Sequence, residues 1–497
     1  MQGLFANSAF SYFSVTVLAM RILLASSEVY PYSKTGGLAD MVGALGKALA
    51  RKGHEVGIVT PLYAGVRKRF PTLTPLRQPL DLPLGTGLAT AQVYCLRPAE
   101  RLTIYFVDQP RFFERPGLYQ ENGRDYPDNA ERFIFFSKAV AQLVLALPSK
   151  LDLLHLHDWQ PGLAAVLLKD ELKRAGQGSG PRICVTIHNL AFQGVFPADK
   201  FPLTNLPWDF FTPDGVEFYK QLNCLKAAMV YSDVITTVEI MTEELGCGLD
   251  GLLRKRHSAL YGILNGVDYE EWNPMSDPAL SSPFSVDDLG AKAANKLALQ
   301  EEFNLPPRAD IPLFGNVGRL AEQKGVDILL RALEETAELN FQFVLLGSGE
   351  TRFEQAYEDL ARRFPGRIAV KIGFDEALSH RIEAGSDFFL MPSRFEPCGL
   401  NQMYGLRYGA IPIVRTTGGL DDTVIDIKED AEHANGIKFI EYSSKALAKG
   451  IRKALALYGE PPLLAYYRKN AMKADFSWER TTTEYLKVYQ GNATADP

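Results

Sequence analysis

The sequence predicts an α/β protein built as two doubly wound halves. Three observations carry this. At 497 residues the chain exceeds what one hydrophobic core ordinarily serves, so two domains are expected. Continuous apolar runs alternate with longer helical stretches, the rhythm of parallel sheets covered on both faces. One phrase also occurs twice, Thr-Gly-Gly-Leu-x-Asp, at Thr35 to Asp40 and at Thr417 to Asp422, each time after an apolar run.

Taken in order, "RILLASSEV" reads as a first strand, "MVGALGKALARKG" as a helix stopped at Gly53, and "HEVGIVTP" as a second strand. "LTIYFVD", "LDLLHLHD", "RICVTIHN" and "DVITTV" continue the first half as buried strands. "ILNGVDYEEWNP", rich in Asn, Gly, Asp and Pro, marks the boundary. The second half repeats the rhythm with "PLFGNVG", "FQFVLLGSG", "RIAVKIG", "DFFLMPS" and "IPIVRTTGG", with helical stretches such as "VDILLRALEETAEL" between them. The tail "ADFSWERTTTEYLKVYQ" reads as an amphipathic helix carrying Trp478, Tyr485 and Tyr489. The expected division is a leader over 1–19, a first domain over 20–268, a second over 269–474, and a terminal helix over 475–497.

Composition narrows the class. A net charge of −6 disfavours nucleic acid or an anionic membrane as the main partner, since both call for a basic face. The five cysteines are odd in number and widely spaced, which points to free thiols in a reducing compartment, hence the cytoplasm. The first nineteen residues hold no Lys or Arg, so they read neither as a secretory signal nor as a transit peptide; Met20 reads as the functional start.

The repeated phrase has a structural reading. A strand, a glycine turn and then a helix let the backbone approach a ligand closely and present the positive end of a helix dipole to an anion. Ligands of open α/β sheets bind beyond the carboxyl ends of the strands. Two such halves face to face would make a cleft with anion-friendly turns on both walls. "GRLAEQKG" places Arg319 and Lys324 at a strand end, a guanidinium fork and a point charge suited to a diphosphate. "SRFEPCGLNQ" places Glu396 on a turn, where a carboxylate can accept from sugar hydroxyls or offset positive charge on a sugar ring. "LHLHDWQPG" and "TIHNLAFQG" end first-half strands with His155, His157, Asp158, His188 and Asn189, a mix suited to polar contacts with a sugar. A metal on His155, His157 and His188 is set aside on the expectation that His155 and His157 face opposite sides of their strand. No Asp-x-Asp pair occurs, which suits a site that neutralises a diphosphate without a divalent ion.

Together "KTGGLAD", "HDW", "HN", "GCGLDG", "ILNGVD", "RLAEQKG", "EPCGL" and "TGGL", in that order, resemble the bacterial glycogen synthases and plant starch synthases of the ADP-glucose type, from about Met20 to about Gln490. The resemblance implies a GT-B fold, two Rossmann-like domains around a deep cleft. It implies transfer of glucose from ADP-glucose to the non-reducing end of an α-1,4-glucan with retention of configuration, without a cofactor or metal. By position, Lys34, Asp158, His188, Arg319, Lys324 and Glu396 would be catalytic. Lys34, Gly36, Gly37, Arg319, Lys324, Thr417, Gly418 and Gly419 would hold the nucleotide, with Phe374 stacking on the adenine. Asp40, Asn189, Asn265, Glu396, Cys398, Gly399 and Leu400 would meet the sugar or acceptor. One departure is expected to matter: after "DVITTV" the chain runs straight into Glu239 and Ile240, shortening a loop near the cleft. A UDP-glucose-using or small-acceptor enzyme of the same fold, or a non-catalytic glucan-binding homologue, stand as alternatives.

Overall fold

The computed structural model describes residues 19–76, 78–121, 123–238 and 247–493. The shortened loop that begins at Glu239 and Ile240, and nearly all of the leader, lie outside these residues.

Two sheets organise the chain. The first runs in the order Leu260–Gly262, Val234–Thr237, Arg182–Ile187, Leu153–His157, Arg21–Ala25, Glu55–Pro61, Leu102–Asp108, Gly87–Ala99 and Thr74–Pro75. Its first seven strands are parallel. An antiparallel hairpin edge follows, built from Gly87–Ala99 and its neighbours. The second sheet, ordered Ile368–Ile372, Gln342–Gly349, Leu313–Leu320, Phe388–Met391, Ile411–Arg415 and Ile437–Phe439, is parallel throughout. The parallel strands thus spread outward from a central pair in each sheet. The doubly wound α/β class read from the alternating runs is the class observed.

This topology positions the site. In a doubly wound sheet, strand order reverses between the first strand and the one that starts the second wing, and the two connections leave in opposite directions to open a crevice. In the first sheet that point lies between Arg21–Ala25 and Leu153–His157; in the second it lies between Leu313–Leu320 and Phe388–Met391. The loops that follow these four strands carry Lys34, Asp158, Lys324 and Glu396.

Burial follows from sequence. Leu153–His157 is buried at every position, as an apolar strand between two helical layers must be. The helix Gly37–Arg51 presents Met41, Val42, Leu45 and Leu49 to the sheet. It lies close because Gly46 has no side chain: a Cβ there would stand 2.6 Å from Ile58 Cδ1. The terminal helix Trp478–Gln490 packs into the first core with Trp478, Tyr485, Val488 and Tyr489. The chain therefore crosses between the halves twice. The crossings lie side by side: the Val267 amide donates to Phe476 O at 2.7 Å, and Val267 pairs in parallel with Ser477.

Candidate active site

The first wall is the turn between Arg21–Ala25 and the helix Gly37–Arg51. Lys34 Nζ pairs with Asp40 Oδ2 at 2.9 Å and stands 5.3 Å from the Tyr30 ring centre. Burial would push this ammonium down, but Asp40, with Glu376 and Glu271 beyond it, outweighs burial and holds it above the usual lysine value. Asp40 is also held up, by burial first and then by Glu376 and Glu28, against the pull of Lys34.

The second group lies at the end of Leu153–His157. Asp158 adopts a left-handed φ of 60°, which Asp tolerates better than most residues, and its Oδ1 accepts the His188 amide at 2.8 Å. Burial pushes this carboxyl up to about 7, with the His188 and Asn189 amides pulling the other way. His188 is pushed down to about 3 by burial, so its ring is neutral in ordinary conditions. Asn189 turns its Oδ1 to the Ala191 amide at 3.0 Å.

The expectation that His155 and His157 face opposite ways is corrected. Their ring centres lie 4.1 Å apart, because side chains two apart on a strand share a face. What sets these rings apart from a metal is their partners. His155 joins Tyr489 Oη at 2.8 Å and Thr186 Oγ1 at 2.6 Å, and His157 Nδ1 joins His188 Nε2 at 3.1 Å. His155 is a core hydrogen-bonding residue that ties the terminal helix to the first sheet.

The opposite wall carries two further cations. Arg319 lies on Leu313–Leu320, exposed, with Nη2 donating to Gln323 Oε1 at 3.2 Å. Lys324 Nζ donates to Glu396 Oε2 at 2.6 Å, and Ser393 Oγ donates to the same oxygen at 3.1 Å. Glu396 is buried and Lys324 partly open. Gly399 has a φ of 67°, and Cys398 is buried in an apolar cluster with Val238, Val267, Trp272 and Met403. Gly418, at a φ of 46°, opens the helix Gly418–Thr423, just as Gly37 opens its own, so both copies of the repeated phrase are strand-turn-helix junctions.

Two backbone amides expected at the phosphates are already engaged. The Gly419 amide donates to Glu396 O and Pro397 O, both at 3.1 Å, and the Gly36 amide donates to Glu28 Oε2 at 3.3 Å. The cause at Gly419 is close packing: a Cβ there would run into the Cys398 carbonyl, so the glycine serves to seat its turn against the Glu396 loop.

A cavity of about 690 Å³ spans the two walls. It gathers Lys34, Gly36, Gly37, Asp40, Asn265, Arg319, Phe374 and Leu400 from the expected set. Gly37 and Leu400 nearly touch across it, a Cβ on the glycine lying 3.7 Å from Leu400 Cδ1. Phe374 stands on its wall 81% exposed. Asp158, His188, Asn189, Lys324, Glu396, Cys398, Gly399 and the Thr417 to Gly419 turn do not line it. Asn265 also borders a second cavity of about 850 Å³ that otherwise holds none of the expected residues, and its Oδ1 is buried without a hydrogen-bond partner among the described residues.

Sequence reading missed several residues of the cleft. Trp272 stacks on Tyr404 at 3.7 Å and on His380 at 3.8 Å, and both Trp272 and Tyr404 line the cavity. Glu271, Glu376 and His380 bring ligand-type atoms within 4.8 Å of one another. Glu28, which holds the Lys34 turn, stood in plain view at the end of the first strand, where "SSEVYP" places a carboxylate just past the sheet. Nothing local in the sequence signals Trp272 or Glu376, because the cleft exists only once the halves are assembled.

Comparison with known proteins agrees with this architecture. Residues 21–255 match the family described as starch synthase catalytic domain, and residues 300–474 match glycosyl transferases group 1. A glycogen synthase of Anaeromyxobacter sp. (strain Fw109-5) is 47% identical over 95% of this chain and 100% of its own length. One of Syntrophotalea carbinolica is 44% identical over 95% and 98%. The solved catalytic domain of starch synthase IV from Arabidopsis thaliana, bound to ADP and acarbose, superposes with a TM-score of 0.86 at 34% identity, covering 95% of this chain and 99% of that one. Sucrose-phosphate synthase from Thermosynechococcus elongatus, at 17% identity and a TM-score of 0.59, shares the fold. Two doubly wound sheets around a cleft, in a chain with these matches, define a glycosyltransferase of the GT-B architecture. The chain belongs to the glycogen synthase and starch synthase family.

Proposed function

We propose that the protein transfers glucose from ADP-glucose to the non-reducing end of an α-1,4-glucan with retention of configuration. The observation that carries this reading is the cavity that brings Arg319 of one half to face Lys34 of the other, with Lys324 paired to the buried Glu396 on neighbouring strand-end loops of the same half as Arg319. Fixed cations on both sides suit a departing diphosphate, whose charge grows as the glycosidic bond to the donor breaks. In this reading Arg319 and Lys324 stabilise the leaving ADP, Lys34 approaches its phosphates, and Glu396 bonds the donor glucose. The bare Phe374 ring suits stacking on adenine. The ADP carried by the starch synthase IV structure is consistent with that donor.

Arg319, Lys34 and Lys324, the last two now paired with Asp40 and Glu396, are the cations this reading offers to the diphosphate, and it calls on no metal or cofactor. In this reading Asp158 and His188 act from the acceptor side, although neither lines the cavity. In this reading the departing phosphate takes the acceptor proton, which suits a site where His188, pushed down to about 3 by burial, is a poor proton acceptor. Closure of the cleft over the donor would exclude water and limit its hydrolysis. The reading places the reaction in the cytoplasm. No helix among the described residues is long and apolar enough to cross a membrane.

The test is an ADP-release assay with ADP-glucose or UDP-glucose as donor and glycogen as acceptor, with and without a chelator. The expected result is glycogen-dependent ADP release that a chelator leaves unchanged. A preference for UDP-glucose, or glycogen binding with no turnover, overturns the proposal.

A further inference from the structure

Glu28 is 3% exposed and sits six residues before Lys34, on the loop that leaves the first strand. Its own backbone is fixed locally: Ser26 Oγ donates to Glu28 O at 2.7 Å and accepts the Glu28 amide at 3.2 Å. The carboxylate then reaches under the glycine turn. It accepts from the Thr35 amide, from Thr35 Oγ1 at 2.6 Å and from the Gly36 amide at 3.3 Å. A fourth donor, Tyr119 Oη, arrives at 2.6 Å and is itself hydrogen-bonded to Ser27 Oγ at 2.7 Å.

A buried carboxylate needs partners, and here they are N–H and O–H groups; among the described residues Glu28 makes no ion pair. Three of its four bonds go to the two residues that directly follow Lys34. The lysine is therefore mounted on a segment whose shape one side chain sets. Glu28 also divides the amides of the turn. It holds back those of Thr35 and Gly36, so the amides that open the helix, Gly37 first, are the ones left to face the cleft.

We propose that Glu28 is a positioning residue for the donor diphosphate, clamping the Thr35–Gly36 turn so that Lys34 and the Gly37 helix start stand at a fixed height in the cleft. This rests on the ADP-glucose reading above. It explains why the turn needs a threonine: valine would keep the shape and lose a donor that only the hydroxyl supplies.

The experiment compares Glu28→Gln, Thr35→Val, Thr35→Ser and Tyr119→Phe in the full chain, alone and combined with Lys34→Ala. The readouts are ADP-glucose kinetics, ADP affinity by calorimetry and thermal unfolding. Charge-assisted bonds of this kind are worth about 10- to 100-fold in an equilibrium. Glu28→Gln is expected to weaken ADP binding and lower kcat/KM by about that factor while the protein remains folded. Thr35→Ser stays close to wild type, and Thr35→Val and Tyr119→Phe fall between. In the Lys34→Ala background the Glu28→Gln effect shrinks to about threefold or less, because only the Gly37 helix start is left for it to position. Wild-type ADP affinity in both Glu28→Gln and Thr35→Val overturns the proposal, as does an effect that multiplies fully with Lys34→Ala. If the wild type fails to use ADP-glucose, the proposed function falls, and the ADP-binding series alone decides the role of Glu28.

Discussion

Replacing Asp158 by asparagine isolates one ionisation with little disturbance of shape. Asparagine tolerates the φ of 60° as aspartate does, and its amide oxygen can still accept the His188 amide. What disappears is the carboxyl that burial pushes from an ordinary 3.8 up to about 7. About three pKa units correspond to about 4 kcal/mol working against the buried anion. The sign follows from proton counting. Between about pH 4 and about pH 7 the folded protein keeps a proton that the unfolded chain has released, so the stability contributed by this group falls as pH rises through that window and is level above it. Thermal melts of both proteins across this range should show the asparagine variant gaining on wild type with rising pH, up to about 4 kcal/mol, and no further gain beyond about pH 8. Activity gives the second readout. If Asp158 acts as proposed, kcat/KM plotted against pH should rise through an inflection near 7 in wild type as its anion forms, and the variant should lack it. The histidines nearby do not imitate this signal, since burial pushes His155 and His188 down to about 3. A variant that keeps the inflection, or a stability difference independent of pH, refutes the reasoning.

Three further outcomes are expected. Lys324→Ala strands the buried Glu396 carboxylate and should cost about 2–3 kcal/mol in denaturant unfolding; adding Glu396→Gln should recover most of that stability while leaving the enzyme inactive. Gly36→Ala should fold normally, having open space and an extended backbone at φ −155°, whereas Gly419→Ala drives a methyl into the Cys398 carbonyl and should lose both soluble yield and activity. Tyr489→Phe leaves the buried His155 Nδ1 without its hydroxyl partner and should lower stability by about 1–3 kcal/mol, measurable as a lowered melting temperature with kcat unchanged.

The fold was legible because continuous apolar runs and glycine-punctuated helices encode doubly wound sheets directly. The hairpin edge at Gly87–Ala99 was not singled out, since its alternating burial gives a weaker run than the central strands. The motif residues that line the cleft were legible for the same topological reason: Lys34 and Arg319 follow from strand ends. What stayed hidden depends on contacts between segments far apart in the chain. Whether the Gly419 amide faces a ligand or its own loop is decided by the Glu396 backbone more than twenty residues earlier. Trp272 and Glu376 become cleft residues only when the linker folds against the second sheet. The strand geometry of His155 and His157 was readable in principle, and the rule that places residues two apart on one face settles it.

The paired crossings at Val267 and Phe476 restrict how this molecule can move and how it can be cut. Bodies joined by one tether swivel about it; a second tether bonded alongside suppresses that twist and leaves bending as the easy mode. A protease that severs the Gly262 to Asp268 segment would leave the halves attached through residues 474–478, and the product would migrate as one particle until denatured. Conversely, a fragment ending at residue 268 lacks the aromatic residues that fill its own interior from the far end of the chain. Trp478, Tyr485, Val488 and Tyr489, at about 2 kcal/mol each, represent about 8 kcal/mol of burial. The N-terminal half is thus completed only after the last helix has been synthesised, which makes the order of translation part of how this enzyme matures.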